Sequence, residues 1–205
     1  MIGMKNLADV ILNLAVFVST FGLLLRLYLQ VHRTQPEKWK ETFRYFTCLS
    51  NILCAVACLL TAVFAATGTI PAWVWLLKYI GTVTVTVTIL TVFLFLGPSI
   101  GKGWAQKLLT GPDFFLHLVN PILALITFCF FERRSMTFGQ ALTGLVPVLL
   151  YGFLYIYKVI YAPEGKRWKD FYGFVRGGKT VIILSGLVVG TFLVCMGLML
   201  LQNIA

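Results

Sequence analysis

A histidine at the start of an apolar segment is the first residue of this chain that could do chemistry. The stretch GPDFFLHLVNPILALITFCFFE places His117 three residues inside a run, from Phe114 to Phe131, that is long enough to lie in lipid. There the protein, rather than bulk water, must satisfy both ring nitrogens. His117 is therefore either a packing residue that bonds a backbone carbonyl, or a base with a partner elsewhere in the chain.

An earlier apolar segment carries a polar stripe that offers such a partner. In RYFTCLSNILCAVACLL the polar residues recur every three or four positions and so share one face of a helix: Thr47, Ser50, Asn51, Cys54 and Cys58. Thr47 and His117 lie at similar depth, because both segments enter the membrane from the same side. A hydroxyl beside an imidazole is the minimum set for nucleophilic acyl transfer. The alternative is hydrogen bonding between helices.

Further polar residues could bind substrate or support this pair: Ser50, Asn51, Asp113, Asn120, Tyr151 and Tyr155. Asp113, one turn before His117, could orient the imidazole or cap its helix. Asn51 and Asn120 could hold an oxyanion or bond a neighbouring helix. The two tyrosines share a helical face near the basic side, where they could contact a substrate head group or anchor the helix at the interface.

The composition fixes the class of protein that positions these residues. The chain has 205 residues, 59% hydrophobic and 12% charged, whereas soluble domains carry about 25% charged residues. Apolar runs of membrane-spanning length occur at 7–31, 45–66, 72–96, 114–131, 138–157 and 180–202. They predict an integral membrane protein, all-α, with one bundle of six transmembrane helices over residues 1–205. The TVTVTVT stretch at 82–88 alternates like a strand, but an unpaired strand cannot exist in hydrocarbon, so a helix is predicted.

Basic residues are distributed unequally between the loops, numbered 1 to 5 in chain order. Lys5, Lys78, Arg133 and Arg134 lie on one side, and Lys78 is expected to extend its ammonium group outward to that interface. The remaining 13 of the 17 lysines and arginines lie in or beside loops 1, 3 and 5, which predicts that these loops are cytoplasmic: Arg26, Arg33, Lys38, Lys40, Arg44, Lys102, Lys107, Lys158, Lys166, Arg167, Lys169, Arg176 and Lys179. The formal net charge of +10 then reflects topology and anionic headgroups, and nucleic acid is not a predicted partner.

Other motifs indicate structure rather than chemistry. The five cysteines fall inside apolar runs and lack the spacing of a zinc site or a disulfide framework, so neither metal nor any other cofactor is predicted. The GxxxG at 186–190 predicts close helix packing. A transporter or a lipid-binding scaffold is the alternative to an enzyme. Transport is disfavoured because the sequence shows neither a repeat nor charges near the middle of its spans.

The polar segments also carry a family resemblance. RYFTCLSN, followed two spans later by FLHLVNPILAL, resembles the androgen-induced-protein family, which includes the androgen-dependent TFPI-regulating protein. VPVLLYGFLY in span 5 and DFYGF before span 6 extend the likeness, which is to the bacterial branch.

The animal members of this family are intramembrane threonine hydrolases that cleave fatty acid esters of hydroxy fatty acids. The resemblance therefore implies a carboxylic ester hydrolase that acts on such lipids in a bacterial plasma membrane. It assigns the nucleophile to Thr47 and the general base to His117.

Overall fold

The computed structural model describes residues 4–32, 35–175, 178 and 180–204. Three basic loop residues, Arg33, Arg176 and Lys179, lie outside them. Within the described residues the protein is all-α, and six helices are long and apolar enough to cross a membrane. They are spans 1 to 6: Asn6–Val31, Phe46–Ala66, Ala72–Ile100, Pro112–Phe130, Phe138–Tyr161 and Thr180–Asn203. The predicted bundle of six membrane-spanning helices is confirmed, and the chain is an integral membrane protein.

Three spans contain a π-helical turn, and spans 3 and 5 extend beyond their apolar runs. The π turns are Val92–Leu96 in span 3, Phe115–Val119 in span 4 and Tyr157–Tyr161 at the end of span 5. In spans 3 and 4 a proline follows the turn within the helix, at Pro98 and Pro121. A proline has no N–H to donate, and its ring crowds the carbonyl four residues earlier. A widened turn relieves both problems, and such turns are frequent at functional sites.

The threonine-rich stretch of span 3 is helical, as predicted. The hydroxyls of its four threonines donate to backbone carbonyls three or four residues earlier, at 2.7–3.1 Å: Thr82, Thr84, Thr86 and Thr88. These bonds remove the need for polar partners in lipid.

The buried polar residues form two layers across the bundle. One lies toward the ends joined by loops 2 and 4, here called the loop-2 end, and contains Asn13 and Lys78. The other lies toward the ends joined by loops 1, 3 and 5, the loop-3 end, and contains Asn51, His117 and Asn120. Between them is an apolar layer of buried residues from spans 1 to 4: Val16, Cys54, Cys58, Val85 and Ala124.

The closest helix contacts do not involve the GxxxG motif. A Cβ added at Gly81 would lie 2.8 Å from Cys54 Cα, so spans 2 and 3 approach at this glycine. At Gly186 and Gly190 an added Cβ would meet no described atom within 4 Å. The predicted close packing at GxxxG is therefore not observed within the described bundle.

Replacing Gly81 by alanine should destabilise the bundle by about 1–3 kcal/mol, because the new methyl group meets backbone that cannot move aside. Thermal unfolding of the detergent-solubilised protein measures this. Gly186→Ala is the matched control, and it should leave the midpoint unchanged or raise it, since alanine favours a helix. Equal midpoints for the two variants would contradict the close approach at Gly81.

Candidate functional site

His117 lies at the centre of the π turn of span 4 and is only 7% exposed. Its Nδ1 atom is 2.7 Å from the carbonyl oxygen of Leu108. Because a carbonyl can only accept, Nδ1 carries the proton in the neutral ring and Nε2 carries the lone pair. Nε2 makes no hydrogen bond to any described residue. Nδ1 thus makes the hydrogen bond expected of a packing histidine, and Nε2 has the free lone pair that a general base requires.

The structure gives Asp113 neither of its predicted roles. The residue before its helix is Gly111, and no side chain caps this end. The carbonyl of Leu108, rather than a carboxylate, occupies His117 Nδ1. Asp113 lies in the first helical turn, where its charge favours the positive end of the helix dipole.

Thr47 lies in the first turn of the helix Phe46–Ala66, at the loop-3 end, and is half-buried. Its carbonyl oxygen accepts from Ser50 Oγ at 3.1 Å and from Asn51 Nδ2 at 2.9 Å. Its hydroxyl makes no hydrogen bond within the described part of the chain. Thr47 therefore presents an unengaged hydroxyl close to a helix N-terminus.

The side-chain amide of Asn51 connects the backbone at Thr47 to the backbone next to His117. The same Nδ2 atom that bonds the Thr47 carbonyl also donates to the carbonyl of Leu116 at 3.0 Å, next to His117 in the chain. The hydroxyl of Thr47 and the His117 ring are not hydrogen-bonded to each other among the described residues. One amide thus bridges the backbones of Thr47 and Leu116, whereas the predicted hydrogen bond between the Thr47 hydroxyl and the His117 ring is not observed.

The two asparagines form part of a network that joins spans 1, 2 and 4. Asn120 Nδ2 donates to Thr20 Oγ1 at 3.0 Å and to Asn51 Oδ1 at 3.3 Å, and Asn120 Oδ1 accepts from Ser19 at 2.6 Å. Both N–H groups of each amide are engaged, so in this state neither is available to an oxyanion. Ser50 similarly contacts Thr88 of span 3, Oγ to Oγ1, at 2.9 Å. These residues have the helix-joining role.

A cavity of about 300 Å³ lies beside Thr47. Spans 2, 3, 5 and 6 and loop 5 form its walls, with residues such as Val87, Thr91 and Leu187. No charged side chain lines it among the described residues. Phe153 and Val188, which are exposed on the outer surface of the bundle, also line it. The cavity wall therefore reaches the lipid-facing surface at spans 5 and 6.

Loop 5 closes the cavity at the loop-3 end with the rings of Tyr172 and Phe174. Asp170 holds this loop, because its carboxylate accepts from Tyr155 Oη at 2.7 Å and from the backbone N–H groups of Phe174 and Val175 at 2.9 Å. Partial burial alone would raise the pKa of Asp170, but these hydrogen bonds outweigh it and hold the pKa below its usual range.

The two predicted tyrosines line the cavity with their rings. Their hydroxyls point to other partners: Tyr155 donates to Asp170, and Tyr151 donates to the carbonyl of Arg44 at 2.7 Å. They attach span 5 to loops 5 and 1. Contact between these hydroxyls and a substrate head group would require those bonds to break.

Tyr172 was not predicted as a site residue, although it lies in the DFYGF motif. Its hydroxyl accepts a hydrogen bond from the backbone N–H of Phe46 at 2.9 Å, directly beside Thr47. Burial raises the pKa of Tyr172 to about 12, so the hydroxyl keeps its proton at neutral pH. The Tyr172 hydroxyl also lies within reach of a hydrogen bond with the Tyr151 hydroxyl, so a ligand in the cavity would compete with Tyr151 for its proton.

A second polar cluster lies at the loop-2 end, and it contradicts the predicted orientation of Lys78. The Lys78 side chain is fully buried, and Nζ donates to Glu132 Oε1 at 2.8 Å, to Thr127 Oγ1 at 2.7 Å and to Asn13 Oδ1. The ammonium group turns inward because these three acceptors satisfy its three N–H groups. Asp9 completes the cluster through Asn13.

Comparisons with protein-family models, curated proteins and solved structures find no match for this chain. An unengaged hydroxyl, that of Thr47, and the phenol of Tyr172 lie at one helix N-terminus beside an apolar cavity. His117 does not line this cavity, and Asn51 connects the backbone next to it, at Leu116, to that of Thr47.

Proposed function

We propose that the protein is an intramembrane lipid ester hydrolase in which Thr47 is the nucleophile and His117 the general base. Its proposed substrates are fatty acid esters of hydroxy fatty acids or similar lipids, as in the androgen-induced-protein family that the chain resembles. The observation that carries the proposal is the unengaged Thr47 hydroxyl at the polar end of an apolar cavity.

Thr47 attacks the ester carbonyl through Oγ1, and its proton passes to His117 Nε2. The tetrahedral intermediate then expels the alcohol, which takes this proton, and leaves an acyl-threonine. Water attacks the acyl group with His117 again as base, which releases the fatty acid and restores the hydroxyl. Because the Thr47 hydroxyl and the His117 ring are not hydrogen-bonded to each other, the first transfer requires a rotation of Thr47 or one bridging water.

Two features at the same position favour the developing negative charge. Thr47 lies in the first turn of a 21-residue helix, whose positive dipole end faces the reacting oxygen. Tyr172 can donate its hydroxyl proton to the oxyanion from beside Thr47. The helix N-terminus and Tyr172 thus take the oxyanion-binding role predicted for Asn51 and Asn120, whose N–H groups are engaged elsewhere.

The cavity supports an acyl chain as the bound group, since apolar surface is stabilised by leaving water and an uncharged lining offers no partner to a carboxylate. A free carboxylate on the substrate would remain at the loop-5 bases Lys166, Arg167 and Lys169, which are exposed. With loops 1, 3 and 5 in the cytoplasm, the site lies in the cytoplasmic half of a bacterial plasma membrane.

The proposal is tested on the purified protein in detergent micelles. We expect covalent labelling by a fluorophosphonate probe for serine and threonine hydrolases. We also expect release of fatty acid from a fatty acid ester of a hydroxy fatty acid, and pre-treatment with the probe should block this release. A folded protein that neither takes up the probe nor cleaves any ester in a panel of chain lengths would overturn the proposal.

Replacing Tyr172 by phenylalanine should lower kcat about 10²–10³-fold, because the ring keeps its packing while one oxyanion donor is lost. KM should change little if the hydroxyl acts mainly on the transition state. Steady-state kinetics on one ester measure both constants. Tyr161→Phe is the control, since Tyr161 is 70% exposed and lies outside the cavity. An unchanged kcat for Tyr172→Phe would remove Tyr172 from the mechanism.

Transport is the second candidate function, because the buried charges of the Lys78 cluster are typical of ion pathways. The apolar layer that contains Val16, Cys54 and Ala124 lies between this cluster and the polar layer at the loop-3 end. It interrupts a polar path through the described bundle, which favours the hydrolase. Substrate uptake into proteoliposomes without ester cleavage would favour transport over hydrolysis.

A further inference from the structure

Two carboxyl groups face each other in the cluster at the loop-2 end. Asn13 Nδ2 donates to Asp9 Oδ1 at 2.8 Å and to Glu132 Oε1 at 2.9 Å, so one nitrogen holds both groups. Asp9 and Glu132 are only 5% and 4% exposed, and their carboxyls are within reach of a side-chain hydrogen bond. Two ionised carboxylates cannot form that bond, because both only accept.

Glu132 has one oxygen without a partner. Oε1 accepts from Asn13 and Lys78, whereas Oε2 is buried and has no hydrogen-bond partner among the described residues. Leaving an ionised oxygen buried without a donor is unfavourable in general. A proton between the two carboxyl groups would satisfy it and supply the missing donor.

The charge count of the cluster also leaves room for one positive charge. Two carboxyl groups face a single buried ammonium group, that of Lys78, whose three N–H groups are all engaged. The thiols of Cys54 and Cys58 on span 2 lie near Lys78. Arg133 and Arg134 are exposed at the surface, where water screens them.

A proton fits this site better than a larger cation does. Glu132 Oε2 is buried, so neither an ion nor an ammonium group can contact it without moving the surrounding atoms. A polar cavity of about 190 Å³ lies against the pair, lined by Asn6, Asp9, Glu132, Arg133 and Arg134. Water in that cavity can deliver and remove a proton at Asp9.

We propose that Asp9 and Glu132 form a proton-binding site that holds one shared proton and exchanges it through the cavity at the loop-2 end. The apolar layer separates this site from the polar layer at the loop-3 end, so its occupancy follows the pH on the loop-2 side of the membrane. The inference is independent of the proposed hydrolase function.

Infrared spectroscopy of the purified protein in detergent tests the proposal, because a protonated carboxyl has a C=O stretch distinct from that of a carboxylate. At neutral pH the parent protein should show this band, and strongly alkaline buffer should remove it. Asp9→Asn and Glu132→Gln should each abolish the band, since the remaining carboxyl then pairs with Lys78 alone. Glu164→Gln, at an exposed loop-5 residue, should leave it intact.

A band that survives either substitution would overturn a shared proton, and so would a parent spectrum without the band. Its loss when sodium chloride replaces choline chloride would show a metal cation instead.

Stability supplies a second measurement if Glu132→Gln does not fold. Carboxyls of the unfolded chain lose their protons near pH 4, so the folded protein holds one extra proton at neutral pH. The folding equilibrium constant should then fall by up to about tenfold per pH unit as pH rises. Asp9→Asn should remove this slope, and an unchanged slope would overturn the proposal.

Discussion

Thr47→Ala should abolish both probe labelling and ester hydrolysis while leaving the protein folded. The substitution removes the hydroxyl that the proposed mechanism uses as nucleophile, and this hydroxyl has no hydrogen bond to a described residue whose loss would destabilise the fold. Activity should fall to the background of the assay, because no acyl-enzyme can form. Labelling, hydrolysis and the thermal midpoint are measured on the same preparation.

Thr61→Ala is the matched control on the same helix. Thr61 is fully buried, its hydroxyl has no partner among the described residues, and it does not line the cavity beside Thr47. This variant should keep full activity and equal or greater stability, since it removes an unsatisfied buried hydroxyl. Hydrolysis by Thr47→Ala at the parent rate would end the proposal for this threonine.

His117→Gln separates the two members of the pair. Thr47 keeps its hydroxyl but loses its base, so turnover should fall about 10²–10⁴-fold. Slow labelling by the probe should remain, because an unassisted hydroxyl is weakly nucleophilic rather than absent. Identical residual rates in Thr47→Ala and His117→Gln would be expected only if the two residues act as one unit.

The spans could be predicted from sequence because each needs a long apolar run, and composition alone reveals such runs. The helical state of residues 82–88 followed from the same reasoning, since lipid excludes an unpaired strand. The extension of span 3 beyond Leu96 could not be predicted in this way. It depends on a π turn that accommodates Pro98 at a position where hydropathy falls.

The partners of polar side chains were less predictable than their depth. Thr47 and His117 do lie at the same end of the bundle, as their positions in the runs indicated. Helical spacing cannot show, however, that Leu108 and not Asp113 would bond the imidazole, because that choice depends on how loop 3 folds back. Similarly, the position of Lys78 near a helix end predicts an outward-facing side chain. The sequence does not show that Asn13 and Glu132 lie opposite it and turn it inward.

The second large effect is expected at the buried ion pair. Glu132→Ala should destabilise the protein by about 3–5 kcal/mol, because it leaves the Lys78 ammonium group buried without its closest counter-charge. Thermal and denaturant unfolding in detergent measure the loss. Glu37→Ala is the control: Glu37 pairs with Lys40 at 3.0 Å on the surface, and such exposed pairs contribute about 0–1 kcal/mol. Equal effects of the two substitutions would contradict the buried position of the pair.

The double variant Lys78→Met, Glu132→Met should recover most of that loss. It removes both charges and fills their space with flexible apolar side chains, and replacing a whole buried pair in this way is often neutral or stabilising. If the double variant matches the parent in stability but lacks the carboxyl band, the charges of this cluster are not needed to hold the bundle together. Proton binding would then be the property that distinguishes the native cluster from an apolar one.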